Sequence, residues 1–116
     1  MHPHFHHIGL SVTNVAATID ALAQALGATR TPSPSEGHDL IDIGDLRLAL
    51  VAARPEEQAS RCFGDHVAFV LSEEGRARAT TALASHGWEC QSVRGRVYAR
   101  SPDRMLTLEL LTTAGA

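Results

Sequence analysis

The chain repeats itself, and this limits its fold more than any other feature. His7-Ile8-Gly9-Leu10-Ser11-Val12 resembles His66-Val67-Ala68-Phe69-Val70-Leu71 at an offset of 59. Leu26-Gly27 matches His86-Gly87, and Leu46-Arg47-Leu48-Ala49-Leu50 matches Leu106-Thr107-Leu108-Glu109-Leu110, both at an offset of 60. Three matches in one order at nearly one spacing imply two related halves. Each half has only about 50 residues, too few to bury a stable core alone. The halves must therefore pack together, within one chain or across two.

Each half reads as strand–helix–strand–strand–strand. Residues 5–12 are short and rich in apolar or β-branched side chains, which predicts a strand. Asn14 can cap a helix, Val15, Ile19, Leu22 and Leu26 fall at helical spacing, and Gly27 closes it. Residues 28–39, with Pro32, Pro34 and Gly37, predict a weak edge strand or a loop. Leu40 to Ile43 and Leu46 to Ala52 predict two strands joined by a tight hairpin at Gly44-Asp45. In the second half, residues 65–71 predict a strand, Ser72 caps a helix that ends at Gly87, and strands follow near 89–93, 96–100 and 105–112. The expectation is one α+β domain, 1–116, of two βαβββ modules at about 5–52 and 65–113. Residues 53–64, with Pro55, form the linker.

Composition removes several function classes. Thirteen acidic residues against ten basic ones give a net charge of −3, without the basic excess of a nucleic-acid binder. All ten basic residues are arginine, so lysine Schiff-base chemistry and a P-loop lysine are excluded. No apolar run is long enough to span a membrane, and the N-terminus has no secretory pattern. Two cysteines, Cys62 and Cys90, make no disulfide framework, so a reduced, cytoplasmic protein is expected, its thiols inert. Seven histidines are many for this length and point towards metal or acid–base chemistry.

Strand alternation sorts the candidates. If Ile8, Leu10 and Val12 pack under a helix, then His7, Gly9 and Ser11 face away from it. Likewise Val67, Phe69 and Leu71 face the helix and His66, Ala68 and Val70 do not. Leu106, Leu108 and Leu110 turn inward, leaving Thr107, Glu109 and Leu111 opposite; Arg47, Ala49 and Val51 do the same in the first half. The faces away from the helices thus carry His7, His66 and Glu109, with Ala49 at the place symmetric to Glu109. A glutamate in an apolar strand needs a partner or a cation. Two imidazoles and one carboxylate suit iron, manganese, zinc, cobalt or nickel, with positions left open for water or substrate. By the same parity, Arg47, Tyr98 and the more turn-proximal Arg96 are candidate substrate contacts. An arginine there favours an anionic substrate. His2, His4 and His6 lie on the N-terminal segment, His38 in a loop, and His86 at a helix C-terminus that suits a partly charged imidazole. Trp88 reads as a packing anchor.

His6-His7-Ile8-Gly9-Leu10-Ser11-Val12, Ala25-Leu26-Gly27, Leu40-Ile41-Asp42-Ile43-Gly44-Asp45-Leu46, Asp65-His66-Val67-Ala68-Phe69, and Tyr98-Ala99-Arg100-Ser101-Pro102-Asp103 running into Leu108-Glu109-Leu110 together resemble the vicinal oxygen chelate superfamily. That superfamily includes glyoxalase I, bleomycin-resistance proteins, extradiol dioxygenases, methylmalonyl-CoA epimerase and fosfomycin-resistance enzymes. The resemblance covers nearly the whole chain. It implies cupped mixed sheets with helices outside, and a divalent metal held by His7, His66 and Glu109. It implies catalysis by Glu109 and Tyr98 on a small oxygen-rich substrate in a homodimer, as a lyase or isomerase, a dioxygenase or an antibiotic-modifying transferase.

The departures from the family pattern narrow this. Glyoxalase I and the epimerase carry a fourth ligand where this chain has Ala49, so the three-ligand set is closer to the fosfomycin-modifying enzymes and the extradiol dioxygenases. Tyr98 falls where the fosfomycin enzymes keep a substrate-contacting tyrosine. The segment Gln91 to Arg96 is short where the glutathione-dependent type binds potassium. An Asp-Pro-Asp-Gly turn is replaced by Ser101-Pro102-Asp103-Arg104, and the run to Glu109 is one residue longer, which a bulge would absorb. Two other classes remain: a non-catalytic antibiotic-binding protein of the bleomycin-resistance type, and an accessory module with a vestigial site. Metal content separates the first from an enzyme. The modules can pair within a chain or, by exchange, between two.

Overall fold

The computed structural model describes residues 3–31, 38–53 and 66–112. In chain order the elements are β1 (Ile8–Val12), α1 (Val15–Leu26), β2 (Thr29–Thr31), β3 (His38–Ile43), β4 (Leu46–Ala52), β5 (Val67–Leu71), α2 (Glu73–Ser85), β6 (Glu89–Val93), β7 (Arg96–Arg100) and β8 (Thr107–Thr112). Both halves therefore run βαβββ. They form two four-stranded sheets, ordered β1-β4-β3-β2 and β5-β8-β7-β6. In each, the first strand pairs parallel to the last, and the other pairs are antiparallel.

Local chemistry fixes the ends. The Asn14 side chain accepts from Ala17 N–H and the Ser72 side chain from Gly75 N–H, so each helix starts on a capping oxygen. Gly27 ends α1 at φ 69°, a left-handed conformation that needs no Cβ. The expected strand over residues 5–12 is shorter than its sequence pattern: β1 starts at Ile8, because Phe5 finds no core and stays 65% exposed. The extra residue before Glu109 makes no bulge. Pairing of β7 with β8 is regular from Val97–Leu110 to Arg100–Thr107, and the turn at Arg104 (φ 62°) absorbs the added length. Most of the expected linker, including Cys62, lies outside the described residues.

The helix-covered faces of both sheets share one core, containing Leu22, Ile41, Leu48, Leu50, Leu83, Leu108 and Leu110. Helix α1 lies against α2, and Trp88 is buried where α2 leads into β6. Burying both faces in one core solves the problem that neither half could solve alone. The modules are also latched by polar bonds. Asp103, in the β7–β8 loop, accepts from Thr13 N–H at the end of β1 (2.8 Å) and from Met105 N–H (3.0 Å). Burial pushes the Asp103 carboxyl up, but hydrogen bonds from Ser101, Met105 and Thr13 outweigh it and hold the group below the usual carboxylate range. His86 Nε2 meets Gln24 Oε1 across the helix pair. Among the described residues, no helix is long and apolar enough to cross a membrane.

Candidate metal centre

The opposite faces of the sheets point away from the shared core. Register aligns equivalent places in the two modules. Gly9, Ala49 and Leu40 are neighbours across the first sheet; Ala68, Glu109 and Tyr98 are neighbours across the second. The first cup is thus apolar where the second carries a carboxylate and a phenol.

Glu109 is 5% exposed, in a strand whose neighbours Leu108 and Leu110 are core residues. A carboxylate there is tolerated only with full compensation. Its Oε1 lies 3.1 Å from His66 Nε2. Its Oε2 accepts from Arg96 Nη1 and from the Tyr98 hydroxyl, each at 3.2 Å. The His66 and Tyr98 rings meet edge to face with centroids 6.1 Å apart. Unlike Glu109, His66 and Arg96 reach solvent, with side chains 39% and 47% exposed. A cleft of about 400 Å³ opens beside this group, with His66, Glu89, Gln91, Tyr98, Arg100, Arg104 and Thr107 in its wall.

The donor set fits a divalent ion. Two ligand atoms each about 2.1 Å from one ion stand about 3.0 Å apart at a right angle and about 3.4 Å apart at the tetrahedral angle. The 3.1 Å between His66 Nε2 and Glu109 Oε1 lies in that interval. Oε2 is held by two donors, the outer-shell support that fixes a ligand's orientation.

The third expected ligand is elsewhere. His7 precedes β1, at the outer edge of the first sheet, and its Nδ1 lies 2.7 Å from Nδ1 of His6. Among the described residues of one chain, no three histidine, cysteine or acidic side chains come together as a metal site. The single chain therefore assembles His66 with Glu109 and leaves His7 apart.

The substrate candidates also divide. Tyr98 and Arg96 lie on the second cup, both engaged with Glu109. Arg47 lies on the first cup, where its Nε donates to Asp42 Oδ1 at 2.7 Å. The Arg47 guanidinium, helped by the Thr31 hydroxyl, holds the Asp42 carboxyl low, and Asp42 raises Arg47 in turn. Arg47 is thus an ion-pair member before any substrate arrives. Arg100 and Arg104 were not singled out from the sequence. The signal existed for Arg100, which alternates with Arg96 and Tyr98 on one strand face; Arg104 reaches the cleft only through the loop conformation. Cys90 is a free thiol, pushed up by burial.

Comparison with known proteins agrees with this architecture. The profile of the glyoxalase/bleomycin resistance protein/dioxygenase superfamily matches residues 4–101, and the chain belongs to that superfamily. Solved structures with the same fold include the fosfomycin resistance protein FosX of Listeria monocytogenes, at 22% identity over 97% of this chain and 94% of that one, TM-score 0.75. FosX of Mesorhizobium loti aligns at 18% identity over 96% and 92%, TM-score 0.75. A possible glyoxalase from Bacillus cereus aligns at 21% over 90% and 95%, TM-score 0.72. The Listeria protein has been seen with Mn(II) and sulfate, and a variant of it with Mn(II) and dihydroxypropylphosphonic acid. No curated protein matches the chain in sequence.

Proposed function

We propose that the protein is a metal-dependent enzyme whose centre is completed across a homodimer. His66 and Glu109 of one chain, with His7 of a second copy, hold the ion. The observation that carries this reading is the pair His66 Nε2 and Glu109 Oε1, 3.1 Å apart at the mouth of an open cleft, with the other carboxylate oxygen already satisfied.

Exchange of modules between two chains supports the third ligand. Among the described residues, β1 and β5 are both outer strands with one hydrogen-bonded neighbour each. Apolar side chains stand open on these strands and cups: Ile8, Val51 and Val70. Joining β1 of one copy to β5 of another would pair these edges, cover those side chains and bring His7 to the second cup.

A bound divalent ion supplies Lewis-acid stabilisation of negative charge on a substrate oxygen. The chain supplies the rest. Arg100 and Arg104 line the cleft together with Glu89, which pairs with Arg104 at 3.6 Å, so an anionic group would meet two guanidiniums partly offset by one carboxylate. Tyr98 orients the glutamate, and its ring forms one wall beside His66. A small oxygen-rich anion is the expected substrate. The likeness to FosX makes fosfomycin the first compound to assay. A reducing cytoplasm suits the free Cys90 thiol.

The test is metal content of untagged protein by elemental mass spectrometry, beside His7→Ala, His66→Ala and Glu109→Ala. The reading expects near-stoichiometric metal, lost in each variant. Mixing unfolded His7→Ala and Glu109→Ala chains and refolding them should then restore about a quarter of wild-type content, since half the random dimers carry one intact site of two. No restoration overturns the shared site. A wild type that stays empty after incubation with metals overturns the enzyme, and a binding protein of the bleomycin-resistance type takes its place.

A further inference from the structure

We propose that Arg96 is a positioning residue: with Tyr98 it keeps Oε2 of Glu109 out of coordination, so that the glutamate offers a metal Oε1 alone. This rests on the reading of Glu109 as a ligand and adds how that ligand is presented.

A carboxylate can bind an ion through one oxygen or through both. Which it does depends on what else its oxygens are bonded to. Here the two oxygens are treated differently. Oε1 faces the His66 imidazole at 3.1 Å, in the open part of the cup. Oε2 takes two donors, both from β7. Tyr98 stands directly opposite Glu109 in the β7–β8 ladder, so its hydroxyl reaches Oε2 across the strands. Arg96 shares the face of Tyr98, but the ladder ends at Val97–Leu110, so its side chain runs diagonally back to the same oxygen. Freeing Oε2 would take the acceptor from the Tyr98 hydroxyl and break the ion pair with Arg96, whose guanidinium would turn to water. The carboxylate is thus locked in one orientation before an ion arrives.

Two consequences follow for the centre. A one-oxygen glutamate would leave one more position open than a two-oxygen glutamate, three rather than about two in a six-coordinate centre with two histidines. The guanidinium also weakens the ion's hold. It draws electron density from the carboxylate, and it places a positive charge near a second positive charge. Outer-shell partners that accept a hydrogen bond from a metal-bound imidazole raise its basicity, and donors to a carboxylate fix its orientation while lowering its basicity. Arg96 donates, so its sign is opposite.

The experiment uses the full-length protein, titrated with Mn(II) by calorimetry. Metal-minus-apo infrared difference spectra report the splitting between the two carboxylate stretches, which is wide for one-oxygen and narrow for two-oxygen binding. Variants are Arg96→Met, Arg96→Lys and the double variant Arg96→Met, Tyr98→Phe, with Glu109→Ala as control. The inference expects a wide splitting in wild type, a narrowed one in the double variant, and affinity raised roughly tenfold in Arg96→Met, the size of a partly solvated unit-charge repulsion removed. Arg96 reaches Oε2 through Nη1 alone, and Arg96→Lys keeps the charge and one donor, so its affinity should stay near wild type. An arginine that only props up the strand predicts the reverse: affinity falls and the splitting stays wide. That result, or a narrow splitting in wild type, overturns the inference while leaving the metal centre in place. Binding that persists in Glu109→Ala overturns the ligand reading itself.

Discussion

Glu109→Leu separates a residue kept for chemistry from one kept for stability. The position lies in β8 between Leu108 and Leu110, and Glu109 is 5% exposed. Leucine is close in size and removes a carboxylate whose burial is expensive. Its own burial contributes about 1.5–3 kcal/mol relative to exposure. Against this, the Tyr98 hydroxyl loses its acceptor, at about 1–2 kcal/mol. The other partners lose less, because the side chains of His66 and Arg96 are 39% and 47% exposed and can turn to water. The net change is near zero or stabilising by about 1 kcal/mol, or about 4 °C in Tm for a chain of this length. If instead the pair were a buried structural bridge, breaking it would remove about 3–5 kcal/mol and lower Tm by roughly 12–20 °C. Metal affinity should fall by more than the about 10–100-fold of outer-shell changes, since a ligand is gone. The assays are thermal melting followed by circular dichroism, and calorimetric titration with Mn(II). A melt lowered by 12 °C refutes the energetic reasoning, and unchanged metal affinity refutes the site.

Other outcomes follow from the same geometry. Asp103→Ala removes the acceptor that joins Thr13 N–H to the β7–β8 loop and should lower Tm at neutral pH by about 1–2 kcal/mol, or about 4–8 °C. Because Asp103 is held below its usual range in the folded state, its contribution is complete above that range and is lost as pH falls through the folded value. The gap between wild type and Asp103→Ala should therefore close as melts are taken from pH 6 towards pH 3; a constant gap contradicts the assignment. Arg94 adopts φ 52° beside Gly95 in the β6–β7 turn, so Arg94→Asn, which places the favoured Asn–Gly pair there, should raise Tm by roughly 2–4 °C without changing metal affinity. Glu109 has three partners in the metal-free chain, so chelation should leave the far-ultraviolet spectrum intact. Chelation should lower Tm only by the binding linkage, about 2.7 kcal/mol at a hundredfold excess over Kd. Loss of secondary structure on chelation would mean that the ion is structural.

The fold was legible because its information is local and repeated. Asn14, Gly27, Gly44-Asp45 and Ser72 each carry a cap or turn signal, and period-two alternation assigned Leu108 and Glu109 to opposite faces. The site was legible only as far as parity reaches. Parity put Glu109, His66 and Tyr98 on one face; it could not show that Arg96 spends its charge on Glu109, or that Arg47 spends its on Asp42. Such pairings depend on where long side chains end, which strand period does not encode. The Asp103 latch was missed for another reason. Its partner is a backbone N–H ninety residues away, and every residue except proline has one.

The asymmetry of the duplication argues for where chemistry takes place. Both modules keep a histidine just before the first strand, and both keep the parallel pairing that follows it. Only the second keeps the cross-sheet row Ala68–Glu109–Tyr98; the first has Gly9–Ala49–Leu40. On the proposed assignment, a second module alone offers two ligands, and a first module alone offers one. Neither module paired with its own kind gives three ligands with open positions. Two first modules give two histidines and no charge, and two second modules give four ligands with two carboxylates. Only unlike modules meeting edge to edge yield two imidazoles and one carboxylate. On the proposed ligand set, the difference between Ala49 and Glu109 thus favours unlike modules at one site.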